Sequence, residues 1–349
     1  MNYGLIGCGM IAAKHIEAAK ANGLKIVAVC DIFPESMDRL LAAHDLEGQG
    51  IKKYTDYREM LAENDLDLVA LCTVTNIRPG ICMDCINAGV NVIIEKPIAM
   101  SMRDADEIVA LAKAKGVKVG VCHQYRLNTA VQQLHQALSE GKLGRISHGT
   151  AHIRWNRNKA YYDQAAWRGT WDKDGGTLAN QCIHFIDILV WLMGKPIEVY
   201  AQARNRLHDE IEIEDVCVAT VTFESGAVAT IEGTVNVYPK NLESSIYIFG
   251  EKGTVKLGGR AADVVEYWNV KDYSPEQAEP FAFGEGHTGF YADMIDAIEH
   301  GRAPYIDALA GRNALELVMG IYKSVKEHRP VRFPVTEFAC TDMKSWDGN

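Results

Sequence analysis

Two short segments of this 349-residue chain gather residue types that move protons. In Val92-Ile93-Ile94-Glu95-Lys96-Pro97 an apolar strand ends on a carboxylate, an ammonium and a proline. A lysine there, partly desolvated and beside a cationic ring, has a lowered pKa and can hold or relay a hydroxyl proton. A cis bond before Pro97 would fix its direction. The second segment is Asp174-Gly175-Gly176-Thr177-Leu178-Ala179-Asn180-Gln181-Cys182-Ile183-His184-Phe185-Ile186-Asp187. Asn180, His184 and Asp187 fall at i, i+4 and i+7, on one face of a helix. A polar stripe on an otherwise apolar helix suggests a pocket, and histidine is the side chain best suited to proton transfer near neutral pH. Taken singly, each motif also reads blandly, as a surface lysine at a strand end and as a core histidine. The glycine pair and Asn180 favour function for His184.

The opening of the chain supplies what must sit beside them. Tyr3-Gly4-Leu5-Ile6-Gly7-Cys8-Gly9-Met10-Ile11-Ala12 is a strand, a Gly-x-Gly-x-x-Ala turn and the start of a helix. Lys25-Ile26-Val27-Ala28-Val29-Cys30 then forms a second buried strand ending on Asp31. This is a dinucleotide cradle. Gly7 permits the sharp turn, Gly9 leaves room for a pyrophosphate, and Ala12 is small enough for helix-on-sheet packing. N–H groups at Met10 and Ile11 point at phosphate. Asp31 accepts from the adenosine ribose hydroxyls, and Ile32 and Phe33 offer no cation for a 2′-phosphate. NAD is expected, with NADP disfavoured.

Composition narrows the classes. Length implies two domains, and 48% hydrophobic with 23% charged residues is ordinary for a globular protein. The net charge of −10, without a basic block, argues against nucleic acid. No run spans a bilayer, and the first strand starts too early for a leader, so a cytoplasmic protein without a membrane partner is expected. The nine scattered cysteines fit reduced, buried thiols. Cys82 and Cys85 form a CxxC inside a predicted helix, read as packing, and no metal site is assigned.

Apolar strands at 67–72, 90–94 and 117–122 alternate with helices near 56–62, 78–88 and 101–115, which implies a doubly wound parallel sheet. Past residue 125 the grammar changes. A helix near 127–139 precedes alternating strands near 145–156, 196–204, 242–249 and 253–257. A hairpin joins 215–223 to 227–237 through Glu224-Ser225-Gly226. One helix, 176–192, interrupts the strands, two helices near 288–300 and 307–326 close the chain, and 262–285 reads as an irregular loop. The fold class is thus α/β, with residues 1–122 as a dinucleotide-binding Rossmann domain. Residues 123–349 form an α+β domain with an open, mainly antiparallel sheet that binds substrate. The sheet's uncovered face predicts a homodimer or homotetramer.

The glycine turn, Glu95-Lys96-Pro97, Gly141-Lys142-Leu143-Gly144, the segment 175–184 and the closing helices together resemble the Gfo/Idh/MocA oxidoreductases over nearly the whole chain. That resemblance implies hydride exchange between NAD(P) and a secondary alcohol of a small-molecule carbohydrate. It implies that Lys96 and His184 match the family's catalytic lysine and histidine. It also implies cofactor contacts from Thr73, Thr75, Asn76, Glu95 and Lys96. Two departures stand out. Many members carry Asp where this chain has Asn180; an amide takes no proton, so Asn180 orients substrate while His184 acts as base. Many also carry a Thr-Pro-Asn…His pattern where this chain reads Thr73-Val74-Thr75-Asn76-Ile77-Arg78.

The stretch from Ile153 to Trp171 is dense in Arg, Tyr and Trp. It reads either as a subunit interface or as an anion-binding wall of Arg154, Arg157, Tyr161 and Arg168. In a strand Arg154 and Arg157 face opposite sides, so both serve one pocket only if the strand ends before Arg157. Trp167-Arg168 matches a pair that reaches the cofactor in the family; a substrate contact is the alternative. The stretch is similar to the branch acting on UDP-N-acetyl-glucosaminuronic acid at its 3-hydroxyl, whose diphosphate and carboxylate suit arginine. The other readings are a dehydrogenase of a simple sugar or inositol, an NAD-dependent glycosidase, and a cofactor-sensing regulator.

Overall fold

The computed structural model describes residues 1–348. Six parallel strands open the fold: β1 (Asn2–Ile6), β2 (Lys25–Cys30), β3 (Lys52–Tyr54), β4 (Leu68–Leu71), β5 (Asn91–Ile94) and β6 (Val119–Val121). Between them run α1 (Ala12–Ala21), α2 (Pro34–Ala43), α3 (Tyr57–Glu63), α4 (Arg78–Asn87) and α5 (Met102–Lys115). The sheet order is β3-β2-β1-β4-β5-β6. β4 buries all of its residues, as a central strand with both faces covered must. The short β3 carries little sequence signal of its own, with two of its three residues exposed lysines.

The rest of the chain comprises α6 (Thr129–Ser139), β7 (Ile146–Arg154), α7 (Lys159–Tyr162) and α8 (Ile183–Met193). They are followed by β8 (Pro196–Arg204), β9 (Val216–Phe223), β10 (Val228–Thr234), β11 (Glu243–Gly250), β12 (Gly253–Gly258), β13 (Val264–Val270), α9 (Gly286–Glu299), α10 (Ala308–Glu327) and β14 (Val331–Arg332). The second sheet runs β13-β12-β11-β7-β10-β9-β8-β14 and is antiparallel except where β10 lies parallel to β7. The β9–β10 hairpin forms as the turn residues require, with Gly226 at φ 85°. β13 corrects the expectation of an irregular loop. It is an edge strand with most side chains in solvent, so its hydrophobic alternation is weak.

Two compact units result, and the chain crosses between them several times. One contains residues 1–99, 104–124 and 283–312; the other contains 100–103, 125–282 and, among the described residues, 313–348. Helix α9 therefore joins the dinucleotide fold rather than the second domain. Its Phe290 and Met294 pack on Gly120 of β6, where a Cβ would lie 3.0 Å from the phenyl ring. In the second unit, glycines let α8 and the turn before it lie close on the sheet. A Cβ at Gly149 would meet Met193 at 2.6 Å, and one at Gly233 would meet Leu178 at 2.7 Å. The opposite sheet face keeps Tyr200, Val218, Val228 and Tyr267 exposed. Among the described residues all nine cysteines are buried free thiols, including Cys82 and Cys85 on α4. No helix among them is long and apolar enough to cross a membrane.

Candidate active site

In the first unit, Gly7 stands at φ 95°, and a Cβ there would lie 2.7 Å from the backbone of Cys72 and Thr73. Only glycine lets β1 turn beneath the loop after β4. A Cβ at Gly9 would meet nothing within 4 Å, which leaves the open cradle that a pyrophosphate needs. Met10 and Ile11 are exposed beside it at the start of α1. Asp31 is held at the end of β2, its two oxygens accepting from the N–H groups of Cys8 at 2.7 Å and Phe33 at 2.9 Å. Ile32 and Phe33 are exposed and bring no cation. These features fit a dinucleotide.

Lys96 follows β5, and the Lys96–Pro97 bond is cis. Both of its neighbours are fixed from below. Arg78, buried at the start of α4, donates to the carbonyls of Glu95 at 2.6 Å, Pro97 at 3.0 Å and Thr73 at 2.6 Å. The Glu95 carboxylate turns into the core. His15 Nε2 lies 3.0 Å from Glu95 Oε1, and His287 Nε2 lies 3.5 Å from the same oxygen. Tyr291 bonds His15 Nδ1 at 2.7 Å and the Tyr3 hydroxyl at 2.8 Å. Burial by itself would raise the Glu95 carboxyl; the hydrogen bond from His15 and the close approach of the His287 imidazole hold it well below the usual range. Burial lowers the His15 pKa. A neutral His15 donating from Nε2 to Glu95 and accepting at Nδ1 from Tyr291 satisfies the chain of bonds. The donor atoms of His15, Glu95, Cys122 and His287 lie within 4.8 Å of one another. The direct His15–Glu95 contact makes proton sharing their simpler chemistry. Sequence reading missed His15 and His287 because they are 80 and 192 positions from Glu95, with no local signal beyond a polar residue on a buried helix face. Thr75 is buried and Asn76 exposed in the loop that Arg78 grips.

In the second unit, Leu178–Cys182 forms a π-helical turn before α8. This corrects the simple i, i+4, i+7 stripe. Asn180 lies on the π turn and donates to Asp174. His184 begins α8, buried and stacked on Tyr125 with ring centroids 4.2 Å apart. Asp187 leaves the candidate set, because Arg126 holds it in a buried bidentate pair at 2.7 and 2.6 Å. That pair locks α8, and hence the imidazole, against the segment before α6.

Glu214 secures the start of the same turn. It accepts from the Leu178 N–H at 2.9 Å and the Tyr322 hydroxyl at 2.7 Å. Burial pushes its carboxyl up to about 7. A carboxyl raised on folding stabilises most below its unfolded pKa, and that share is lost as pH climbs through about 7. The full loss is worth about 3 kcal/mol. Glu214→Gln keeps an acceptor and removes the titration, so its thermal unfolding should lose less stability than the parent's between about pH 5 and about pH 8. Equal slopes would show that this carboxyl does not titrate there.

The arginine-rich stretch separates as strand geometry demands. β7 ends at Arg154, which lies on the sheet face away from α8, its fork closed by Glu232 at 2.5 and 2.8 Å and Glu243 at 2.6 Å. Expected to bind substrate, Arg154 is instead engaged by two carboxylates on the other face. Arg157, past the strand end, turns toward the π turn and donates to Gln181 at 3.0 Å. It stacks between Trp155 and Tyr161, while Arg168 stacks between Tyr161 and Trp167. The Tyr161 hydroxyl accepts from Arg168 and from Gln181. Guanidinium groups and aromatic rings thus alternate within one cluster, each guanidinium carbon 4.1 to 5.0 Å from its ring centres. Among the described residues neither Arg157 nor Arg168 has a carboxylate partner, and Arg168 Nε is a buried donor with none at all.

Family models now give this arrangement its context. Residues 1–123 match an oxidoreductase family with an NAD-binding Rossmann fold, and residues 131–256 match the GFO/IDH/MocA C-terminal domain. The chain belongs to the Gfo/Idh/MocA oxidoreductases. Within this family it is similar to the WlbA dehydrogenase of Bordetella pertussis, solved with NADH and UDP-GlcNAcA. That protein is 34% identical, with 96% of this chain and 99% of that one covered and a TM-score of 0.88. The WlbA enzyme from Chromobacterium violaceum, solved with the same two ligands, is also 34% identical, over 96% of each chain, with a TM-score of 0.87. A D-apiose dehydrogenase of Paraburkholderia graminis is 29% identical over 95% of this chain and 90% of its own length. The first unit of this Gfo/Idh/MocA protein is therefore an NAD-binding Rossmann fold, and the chain is an oxidoreductase related to sugar dehydrogenases.

Proposed function

We propose that the chain is an NAD-dependent dehydrogenase that oxidises a secondary hydroxyl of a nucleotide sugar, at C3 of a UDP-N-acetyl-hexosaminuronate. The observation that carries the substrate class is the cluster of Arg157 and Arg168, two stacked guanidiniums with no carboxylate partner among the described residues. Such forks match the paired oxygens of carboxylate and phosphate. The WlbA relatives, solved in complex with NADH and UDP-GlcNAcA, support the reading.

The bound nicotinamide supplies the hydride acceptor. His184 takes the hydroxyl proton, and stacking on Tyr125 sets its plane. Lys96 stabilises the negative charge that grows on the oxygen. Asn180, oriented by Asp174, fixes the sugar ring. Asp31 with Ile32 and Phe33 favours NAD over NADP, since a carboxylate without a nearby cation repels a 2′-phosphate. The exposed sheet face with Val218, Val228 and Tyr267 is covered by a second copy in this reading, and a solution mass of one chain would remove that part.

The test is NADH formation with NAD and a panel of inositol, glucose, UDP-N-acetylglucosamine and its uronic acid, each with and without 2-oxoglutarate. Turnover confined to the uronic acid is expected. Turnover on inositol or glucose would overturn the substrate and favour the simple-sugar reading, to which the D-apiose relative points. Silence throughout, with NAD bound, would turn attention to glycosidase or sensor chemistry.

A further inference from the structure

We propose that Arg78 is a positioning residue that couples the loop after β4 to Lys96. The proposal rests on the role assigned to Lys96 above. The carbonyls of Thr73, Glu95 and Pro97 lie past the ends of β4 and β5, where the sheet ladder no longer supplies donors. Buried carbonyls need partners. One side chain serves all three: Arg78 Nη1 bonds Glu95 O at 2.6 Å and Pro97 O at 3.0 Å, and Nη2 bonds Thr73 O at 2.6 Å. Nε adds a second donor to Thr73 O at 3.3 Å. The two carbonyls on either side of Lys96 are thus pinned to one rigid plane, and the same plane pins the loop of Thr73, Thr75 and Asn76.

The guanidinium is suited to this by shape. It offers five N–H donors in a fixed fork, whereas a lysine has three donors at one point and an imidazole two opposed nitrogens. An imidazole at this position could not span three carbonyls in two loops. Arg78 touches no reacting atom in this scheme. It acts through the backbone of Lys96, and the His15–Glu95 hydrogen bond holds the side chain of the adjacent residue.

The experiment compares Arg78→Met, Arg78→Lys and Lys96→Met with the parent, on the full chain, with turnover normalised to NADH-binding sites counted by fluorescence titration. Arg78→Met is expected to lower kcat per site about 100-fold, the size of effect that a displacement near 1 Å produces. The pH profile of kcat should shift, since Lys96 no longer meets the hydroxyl in the same geometry. Arg78→Lys should recover part of the loss. A lower Tm with kcat per site and pH profile unchanged would overturn the clamp and leave Arg78 merely structural. Lys96→Met separates the two claims. Near-normal turnover there would remove the role of the lysine and the proposal with it. A collapse in Lys96→Met beside an unaffected Arg78→Met would remove the clamp alone.

Discussion

Lys96→Met and His184→Ala should each reduce kcat by about a thousandfold, within the range that general acid–base groups and oxyanion donors contribute. Neither should change NADH affinity more than a few-fold. The cradle that holds the dinucleotide is built by Gly7, Gly9 and Asp31, and its geometry comes from β1, β2 and the start of α1. The two variants should differ in their pH behaviour. Removing the base abolishes the rise of kcat with pH, because His184 must be neutral to accept a proton. Removing Lys96 keeps a rise but moves its midpoint and lowers its plateau, because a cation beside the reacting groups helps set where the base titrates. Stopped-flow measurement of NADH formation on the preferred sugar checks both. Near-normal turnover in both would sink the catalytic assignment, since no other pair is proposed to share the work.

Substituting the two cluster arginines should change which substrate is used rather than whether chemistry occurs. Arg157→Met with Arg168→Met is expected to lower kcat/KM for an anionic nucleotide sugar by about 10²- to 10⁴-fold, because each charge-assisted contact is worth roughly 1.5–3 kcal/mol. Any turnover on a neutral sugar should fall far less. Methionine preserves some apolar bulk within the aromatic cluster, so a loss confined to anionic substrates would isolate charge from packing. The single variants test coupling. Arg157 and Arg168 share Tyr161 between them, so the range above is the additive reference, and the double variant should depart from the sum of the singles by a measurable coupling. Equal losses on anionic and neutral sugars would instead show that the cluster shapes the fold. Arg154→Met serves as a comparison. Its fork is already closed by Glu232 and Glu243, so it should leave substrate preference unaltered.

Much of this was legible before any coordinate. The strand–glycine turn–helix unit could be read because its residues are adjacent and only glycine tolerates the turn. The Glu95-Lys96-Pro97 strand end and the segment from Asp174 to His184 could be read because a few local residue types carry their chemistry. Other features depended on contacts between distant positions. Edge strand β13 is half in solvent, so its pattern resembled a loop. Asp187 reads from sequence as part of a pocket-lining stripe, whereas Arg126, 61 positions away, holds it in a buried pair. Arg154 and Arg157 are three apart, and only the end of β7 between them decides which face each takes.

By itself the sequence determined the dinucleotide fold, the family, and the lysine and histidine on which the proposed chemistry rests. Each of these follows from short-range spacing that a helix, strand or glycine turn converts directly into geometry. Tertiary structure alone decided that Arg78 grips three carbonyls, that His15 and His287 hold Glu95, and that Arg157 and Arg168 are not ion-paired while Arg154 is closed off. The reason is physical. A buried polar group is satisfied by whatever the packed chain brings within about 3 Å, and that neighbour is set by how helices and strands stack, not by how far apart residues lie along the chain.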